Sequence, residues 1–174
     1  MSVEESEADP APLELIEGEV QPEWIDYNGH MNVAYYVLAF DQAYDAFLDW
    51  LGMGQAFREQ TGDSTFSAEL HIRYLRELTQ GEPYQITGQV LGSDAKRIHL
   101  FLQMYSRRSG ELAATLEGMN LYVDLSVRKV APMPDNIMAV LAERQVAHDK
   151  LPRPPEAGRG IAMPPPKDPA GGGS

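Results

Sequence analysis

One segment of this chain, residues 32–51, repeats apolar side chains at helical spacing, and most of the chain beyond it alternates like strand. That combination restricts the fold to a single long helix lying on a sheet. The helical set is Val33, Tyr36, Val37, Phe40, Tyr44, Phe47, Leu48 and Leu51, in steps of three, four and one, and Gly52 stands where a left-handed residue ends a helix. Leu13 to Val20 reads as a strand before it. After it, Phe66, Ala68, Leu70, Ile72 and Tyr74 alternate with Thr65, Ser67, Glu69, His71 and Arg73, the pattern of a half-buried strand. Tyr84–Leu91, Arg97–Ser106 and Glu111–Asp124 continue as an antiparallel meander, turning at Gly92-Ser93-Asp94 and at Ser109-Gly110. Asn136–His148 reads as a short terminal helix. The fold class is therefore α+β, one antiparallel sheet against one long helix.

A chain of 174 residues is expected to form one domain, and the patterned part spans residues 12–148. Residues 1–11 are acidic and contain proline, so they are expected to be disordered. Residues 149–174 carry Pro152, Pro154, Pro155, Pro164, Pro165, Pro166 and Pro169 before a Gly-Gly-Gly-Ser end, a composition expected to form a flexible tail. The chain has no cysteine, which excludes disulfides, thiolate metal sites and a cysteine nucleophile, and suits a reducing cytoplasm. Its four histidines, at 30, 71, 99 and 148, include no helical His-x-x-x-His pair, so no metal and no cofactor is expected. The amino end lacks the basic start and apolar core of a signal peptide, and no run is long enough to span a bilayer. A formal net charge of -12 argues against nucleic acid or an anionic membrane as a partner.

The chemistry concentrates just before the long helix. Asp26-Tyr27-Asn28-Gly29-His30-Met31-Asn32 packs a carboxylate, an imidazole and two amides into one turn. The helix start behind it has free backbone N–H groups and the positive end of the macrodipole, which stabilise an anion such as the oxyanion of an attacked carbonyl. Asn, Asp and Gly are also ordinary turn residues, and Asn32 suits an N-cap. Capping does not ask for His30. A group titrating near neutrality beside a carboxylate is a recurrent catalytic pairing.

This stretch resembles the signature of hotdog-fold acyl-CoA thioesterases of the 4-hydroxybenzoyl-CoA thioesterase type. Their Asp-x-x-Gly-His-x-Asn-x-x-Tyr pattern is met by Asp26, Gly29, His30, Asn32 and Tyr35. The run Asp26, Asn28, His30, Asn32 is also similar to that of plant acyl-ACP thioesterases. Later blocks agree, from Phe66 to Glu77, Asp94 to His99 and Ala113 to Glu117, and the combination is most similar to the carnitinyl- and betainyl-CoA thioesterase branch. The resemblance implies a sheet wrapped around a central helix and hydrolysis of a small acyl-CoA to free acid and CoA. It implies a homodimer or homotetramer with sites at the subunit interface.

On that reading Asp26 is the nucleophile or general base, and the N–H groups near Asn32 and Val33 form the oxyanion site. His30 orients Asp26 or holds the attacking water, while Asn28 and Asn32 fix the loop and the substrate carbonyl. Glu69 is a second acid, a candidate to activate water. Gly29, Val33, Tyr35, Trp24 and Phe66 are expected against the substrate, and with Tyr27, Tyr36 and Tyr74 the aromatics offer a cage for a trimethylammonium group. Lys96 and Arg97 are expected to hold the coenzyme A phosphates, with Arg73 and Arg76, Arg107-Arg108 and Arg128-Lys129 as further basic candidates. A hotdog enoyl hydratase or dehydratase, and a non-catalytic acyl-CoA-binding module, are the alternatives the same residues allow.

Overall fold

The computed structural model describes residues 10–163. Strand β1, Leu13–Glu19, leads through a single 3-10 turn at Pro22–Trp24 to helix α1, Val33–Trp50. A short helix α2, Gln55–Thr61, precedes strands β2, Asp63–Tyr74, β3, Pro83–Ser93, β4, Arg97–Ser106, and β5, Leu112–Asp124. Strand β6, Lys129–Val130, and helix α3, Asp135–His148, complete the order. The antiparallel sheet runs β1-β3-β4-β5-β2, with β6 on β5.

Helix α1 lies on the inner face of this sheet because its apolar stripe matches the inner residues of the strands. Tyr36, Ala39, Phe40, Ala43, Phe47 and Leu48 are buried, packed in one cluster with Ile86, Val90, Leu100, Leu102, Met104 and Leu116. Burying each large side chain contributes about 1.5–3 kcal/mol, which fixes the helix against the sheet. Two residues of the expected stripe depart from it. Val33 and Val37 remain 57% and 38% exposed, because they flank the open edge of β2, which no further strand covers.

Strand β2 does not alternate without a break. A bulge between Ser67 and Glu69 inserts Ala68 opposite no partner and switches faces. Thr65 accepts a hydrogen bond from the Tyr44 hydroxyl (2.9 Å) and the Ser67 hydroxyl donates to Asn120 (2.9 Å), so these two face α1. Beyond the bulge Leu70, Ile72 and Tyr74 take the inner face, while Phe66 points outward beside Leu121. The expected single apolar face is therefore split. Helix α2 was not expected either. It lacks buried residues and is closed by Gly62 at φ 73°, a left-handed cap.

The segment after α3, expected as a tail that buries nothing, crosses the outer face of the sheet instead. Pro154 is buried, Glu156 pairs with Arg73 of β2, and the Gly158 N–H donates to Glu117 Oε2 (2.7 Å). These contacts are polar and specific, so composition alone did not show them. Residues 1–9 and 164–174, the remainder of the expected disordered ends, lie outside the described residues.

His148, at the end of α3, finishes the edge of β3 where pairing with β1 stops at Leu13 and Gly88. Its Nδ1 accepts the Val90 N–H (2.8 Å) and its Nε2 donates to the Ala11 carbonyl (3.2 Å), the pattern of a neutral imidazole. Burial lowers its pKa, against an opposing pull from the Ala11 carbonyl. The depressed folded-state pKa means this contribution to stability is fully present above the unfolded value of about 6.5 and is lost as pH falls below it. Thermal unfolding followed between pH 8 and 5 should show that loss, and His148→Gln should flatten it.

Candidate active site

The turn that carries the chemistry is a tight hairpin closed on itself. Ile25 and Met31 form a β-bridge, the Asp26 N–H donates to the His30 carbonyl (3.1 Å), and the Gly29 N–H donates to the Asp26 carbonyl (3.0 Å). Gly29 sits at φ 84°, a conformation that a side chain would strain. Asp26 Oδ1 accepts the Asn28 N–H (2.8 Å), an Asx turn that fixes the carboxylate against its own loop. The second oxygen takes no part in that turn.

The hairpin is tied to the helix and to the loop after β2. The Asn32 N–H donates to the Trp24 carbonyl (2.9 Å), and the Asn32 side chain accepts the Ala34 N–H (3.0 Å) as the N-cap. The capping reading of Asn32 thus holds alongside any catalytic one. The Met31 N–H donates to the Leu78 carbonyl (2.8 Å). Tyr36, one turn into α1, accepts the Leu78 N–H (3.0 Å) through a hydroxyl that burial pushes up to about 12. It remains a neutral clamp. Val33 stands first in α1, so its N–H has no carbonyl a turn below it.

His30 is half-buried beside Asp26, with Nδ1 3.4 Å from the Met31 carbonyl and Nε2 3.8 Å from Glu77 Oε2. Sequence reading did not single out Glu77, nor Tyr36 as a clamp, because both contacts join residues some forty positions apart. Glu82 supports the same loop. Although burial works against it, hydrogen bonds from Ser106 and from the N–H and hydroxyl of Thr79 hold its carboxyl below the usual range. Trp24 stacks on Tyr35 beside the turn, with centroids 5.4 Å apart. The Tyr74 hydroxyl reaches the Val33 carbonyl (3.5 Å), and its ring meets Tyr36 edge-on.

Further along α1, a cleft of about 40 Å³ opens between the helix and the inner sheet face. Its lining includes Val37, Asp41, Tyr44, Leu70 and Asn120. Of these, Leu70 of β2 and Val37 of α1 are 45% and 38% exposed.

Other expected site residues are not brought to this turn within one protomer. Phe66 is at the opposite end of β2 from Tyr74, and Tyr27 is 97% exposed, so the six aromatics do not form one cage. Glu69 lies on the outer sheet face, in a cavity of about 330 Å³ shared with His71, His99 and Glu117. There His99 Nε2 is 2.7 Å from Glu117 Oε1. Lys96 lies in the turn before β4 and Arg97 begins that strand, in the row Arg97, Leu121, Phe66 across the sheet. The Arg97 guanidinium is already paired with Asp94, whose carboxyl it holds below the usual range (Nε to Oδ2, 2.7 Å). Among the described residues no group of three or more His, Asp or Glu side chains is arranged to hold a metal ion.

The family model described as the thioesterase-like superfamily matches residues 20–141. The chain belongs to this superfamily. It is a thioester hydrolase of hotdog fold, an α+β domain with an antiparallel sheet curled around α1. It is 37% identical over 153 residues to the betainyl-CoA thioesterase of Pseudomonas aeruginosa, covering 88% of this chain and 96% of that protein. It is 40% identical over 152 residues to the L-carnitine dehydrogenase/betainyl-CoA thioesterase of Rhizobium meliloti, covering 87% of this thioesterase but 30% of that longer protein. Among solved structures, a hypothetical protein of Staphylococcus aureus in complex with CoA superposes at TM-score 0.81 with 29% identity, over 88% of this chain and 99% of that one. A putative thioesterase of Pseudomonas putida gives 0.76 with 31% identity, over 88% and 98%. No helix among the described residues is long and apolar enough to cross a membrane.

Proposed function

We propose that this enzyme hydrolyses a small acyl-CoA whose acyl group carries a quaternary ammonium, of the betainyl type, to the free acid and CoA. The observation that carries the reading is the Asp26–Asn32 hairpin at the start of α1, in a chain 37% identical to a betainyl-CoA thioesterase over nearly that protein's whole length. The carboxylate that is locked by one oxygen to Asn28 has its other oxygen for chemistry. Asp26 either attacks the thioester carbonyl, forming an acyl anhydride and expelling CoA thiolate, or removes a proton from water that attacks instead. In the first route a water then cleaves the anhydride and restores the carboxylate.

The carbonyl oxygen takes the Val33 N–H at the positive end of α1, where developing charge is stabilised most in the transition state. His30, held between the Met31 carbonyl and Glu77, positions the water or protonates the departing sulfur. The stacked rings of Trp24 and Tyr35 give the cationic acyl group a π surface. We further propose a homodimer built on the open edge of β2. Leu70 and Tyr74, 45% and 46% exposed on the α1 side of that edge, with Val33 and Val37 beside them, form an apolar strip that a second copy covers. Lys96, Arg97 and Glu69 meet substrate in this reading only across that interface. A cysteine-free chain acting on CoA esters suits the cytoplasm.

Release of CoA thiol from a panel of acyl-CoA esters tests the reading. Betainyl-CoA is expected to be turned over with kcat/KM above that of straight-chain acetyl- to hexanoyl-CoA. Thiol release from none of them overturns it.

A further inference from the structure

Among the described residues one carboxylate is buried, and it does not belong to the hairpin that carries the hydrolysis. Glu82, 8% exposed, stands just before β3, at the end of the irregular loop of residues 75–82. Taking an ionised carboxylate out of water is costly unless hydrogen bonds replace the lost hydration, and an apolar side chain would fill the same space without that cost. What a carboxylate adds is direction.

Its two oxygens face two parts of the molecule. Oε1 accepts the Ser106 hydroxyl at the end of β4 (2.5 Å), and Arg108 Nη1 stands 3.9 Å from Oε2, which fixes the carboxylate to the turn between β4 and β5. Oε2 also accepts the hydroxyl and the N–H of Thr79, each at 3.1 Å. That N–H shares a peptide group with the Leu78 carbonyl. The group is planar and trans, so its N–H and C=O point opposite ways. On the far side the Leu78 carbonyl accepts the Met31 N–H of the catalytic hairpin (2.8 Å). Glu82 and Met31 thus hold one rigid plane from its two sides. The Leu78 N–H goes to the Tyr36 hydroxyl of α1 (3.0 Å), and neither Leu78 nor Thr79 belongs to a strand, so these bonds rather than a ladder decide where the loop lies.

We propose that Glu82 is a positioning residue for the thioester hydrolysis. By orienting the Leu78–Thr79 peptide it sets where Met31 stands, and with it His30 on one side and the Asn32–Val33 helix start on the other. Met31 is the one residue between the imidazole and the helix cap, so a tilt of that plane moves both against the substrate. A charged acceptor on the Thr79 N–H also polarises the peptide and strengthens the bond that its carbonyl takes from Met31. The role in turnover rests on the hydrolysis reading above.

Amide exchange is measured first, because it does not need turnover. Glu82→Asp keeps the charge but draws the carboxylate back by one methylene from the Thr79 N–H. It should speed exchange of the Met31 amide at least about tenfold, while amides of the central strand β4 keep parental protection. Kinetics well below Tm should then show kcat lower by about a hundredfold in Glu82→Leu and about tenfold in Glu82→Asp, the scale on which misplaced groups act, with the Kd for free CoA unaltered. Glu82→Gln keeps the length and an oxygen for the Thr79 N–H, and should hold kcat within about threefold of the parent.

A residue that only stabilised the fold would lower Tm in these variants and leave the kcat of the folded protein alone. Parental kcat in folded Glu82→Asp and Glu82→Leu chains therefore overturns the proposal, as does Met31 exchange that stays parental in Glu82→Asp. Should Glu82→Leu not fold, Glu82→Asp carries both readouts. A parent protein that releases no thiol from any acyl-CoA sinks the hydrolysis reading, while faster Met31 exchange in Glu82→Asp would still establish the hold of Glu82 on the hairpin.

Discussion

Asp26→Asn is expected to lower kcat by at least about a hundredfold, the scale on which a general base or nucleophile contributes. The fold should survive it. The interaction that shapes the turn is the Asn28 N–H donated to Asp26 Oδ1, and an asparagine Oδ1 accepts that bond equally well. The backbone bonds from Asp26 to His30 and from Gly29 to Asp26 do not involve the side chain. What the substitution removes is the charge and basicity of the carboxylate. Because the interaction is made with the reacting centre, kcat and kcat/KM should fall together, with unaltered CoA affinity. The check is steady-state kinetics beside a melting curve. Near-parental turnover in a folded variant would take Asp26 out of the reaction.

Ala68→Glu is expected to separate the proposed dimer and, with it, to cost about a hundredfold in turnover, as misplacing a substrate by an ångström or so can. Ala68 stands in the β2 bulge, exposed and opposite no residue of β5, and it does not line the cleft under α1. In a dimer paired along β2 the substitution would set a carboxylate into the shared edge once from each copy. Leu70 of β2 and Val37 of α1 line the cleft, so the proposed dimer would place the second copy beside it. Sedimentation velocity should show a monomer at micromolar concentration where the parent chain is a dimer. A monomer with full activity would mean that each chain builds its site alone.

How far the fold could be read from sequence depended on how local each signal was. The start of α1 was legible because an Asn cap, a left-handed Gly29 and the 3.6-residue stripe all lie within one segment. The ladder positions of β4 were legible for the same reason. The face switch at Ala68 was not, because a bulge is decided by pairing with β5, some fifty residues away. Helix α2 sets only the half-buried Phe57 against the core, too little for a periodic trace. The crossing of residues 151–160 rests on Glu156 meeting Arg73 and on one backbone N–H meeting Glu117, contacts that composition cannot announce.

The site divided along the same line. Asp26, Asn28, Gly29, His30 and Asn32 form one hairpin, as their spacing suggested. The anchors that hold the hairpin in place, Tyr36 on Leu78 and Glu77 near His30, come from a loop remote in sequence. Phe66, Lys96 and Arg97 were expected beside it, yet Phe66 and Arg97 share a row at the far end of the sheet, with Lys96 in the turn before it. Their expectation came from family resemblance, which implies a site at a subunit interface without saying which chain supplies each part.

Recognition of a cationic acyl group is tested most directly by one pair of substrates. Betainyl-CoA and 3,3-dimethylbutanoyl-CoA have the same shape, a trimethyl head one methylene from the thioester carbonyl, and differ in the charge of that head. Thiol release should give betainyl-CoA the higher kcat/KM by about tenfold, the size of a cation–π contact with rings such as Trp24 and Tyr35. Equal rates, or preference for the neutral ester, would contradict a site built for a quaternary ammonium acyl-CoA.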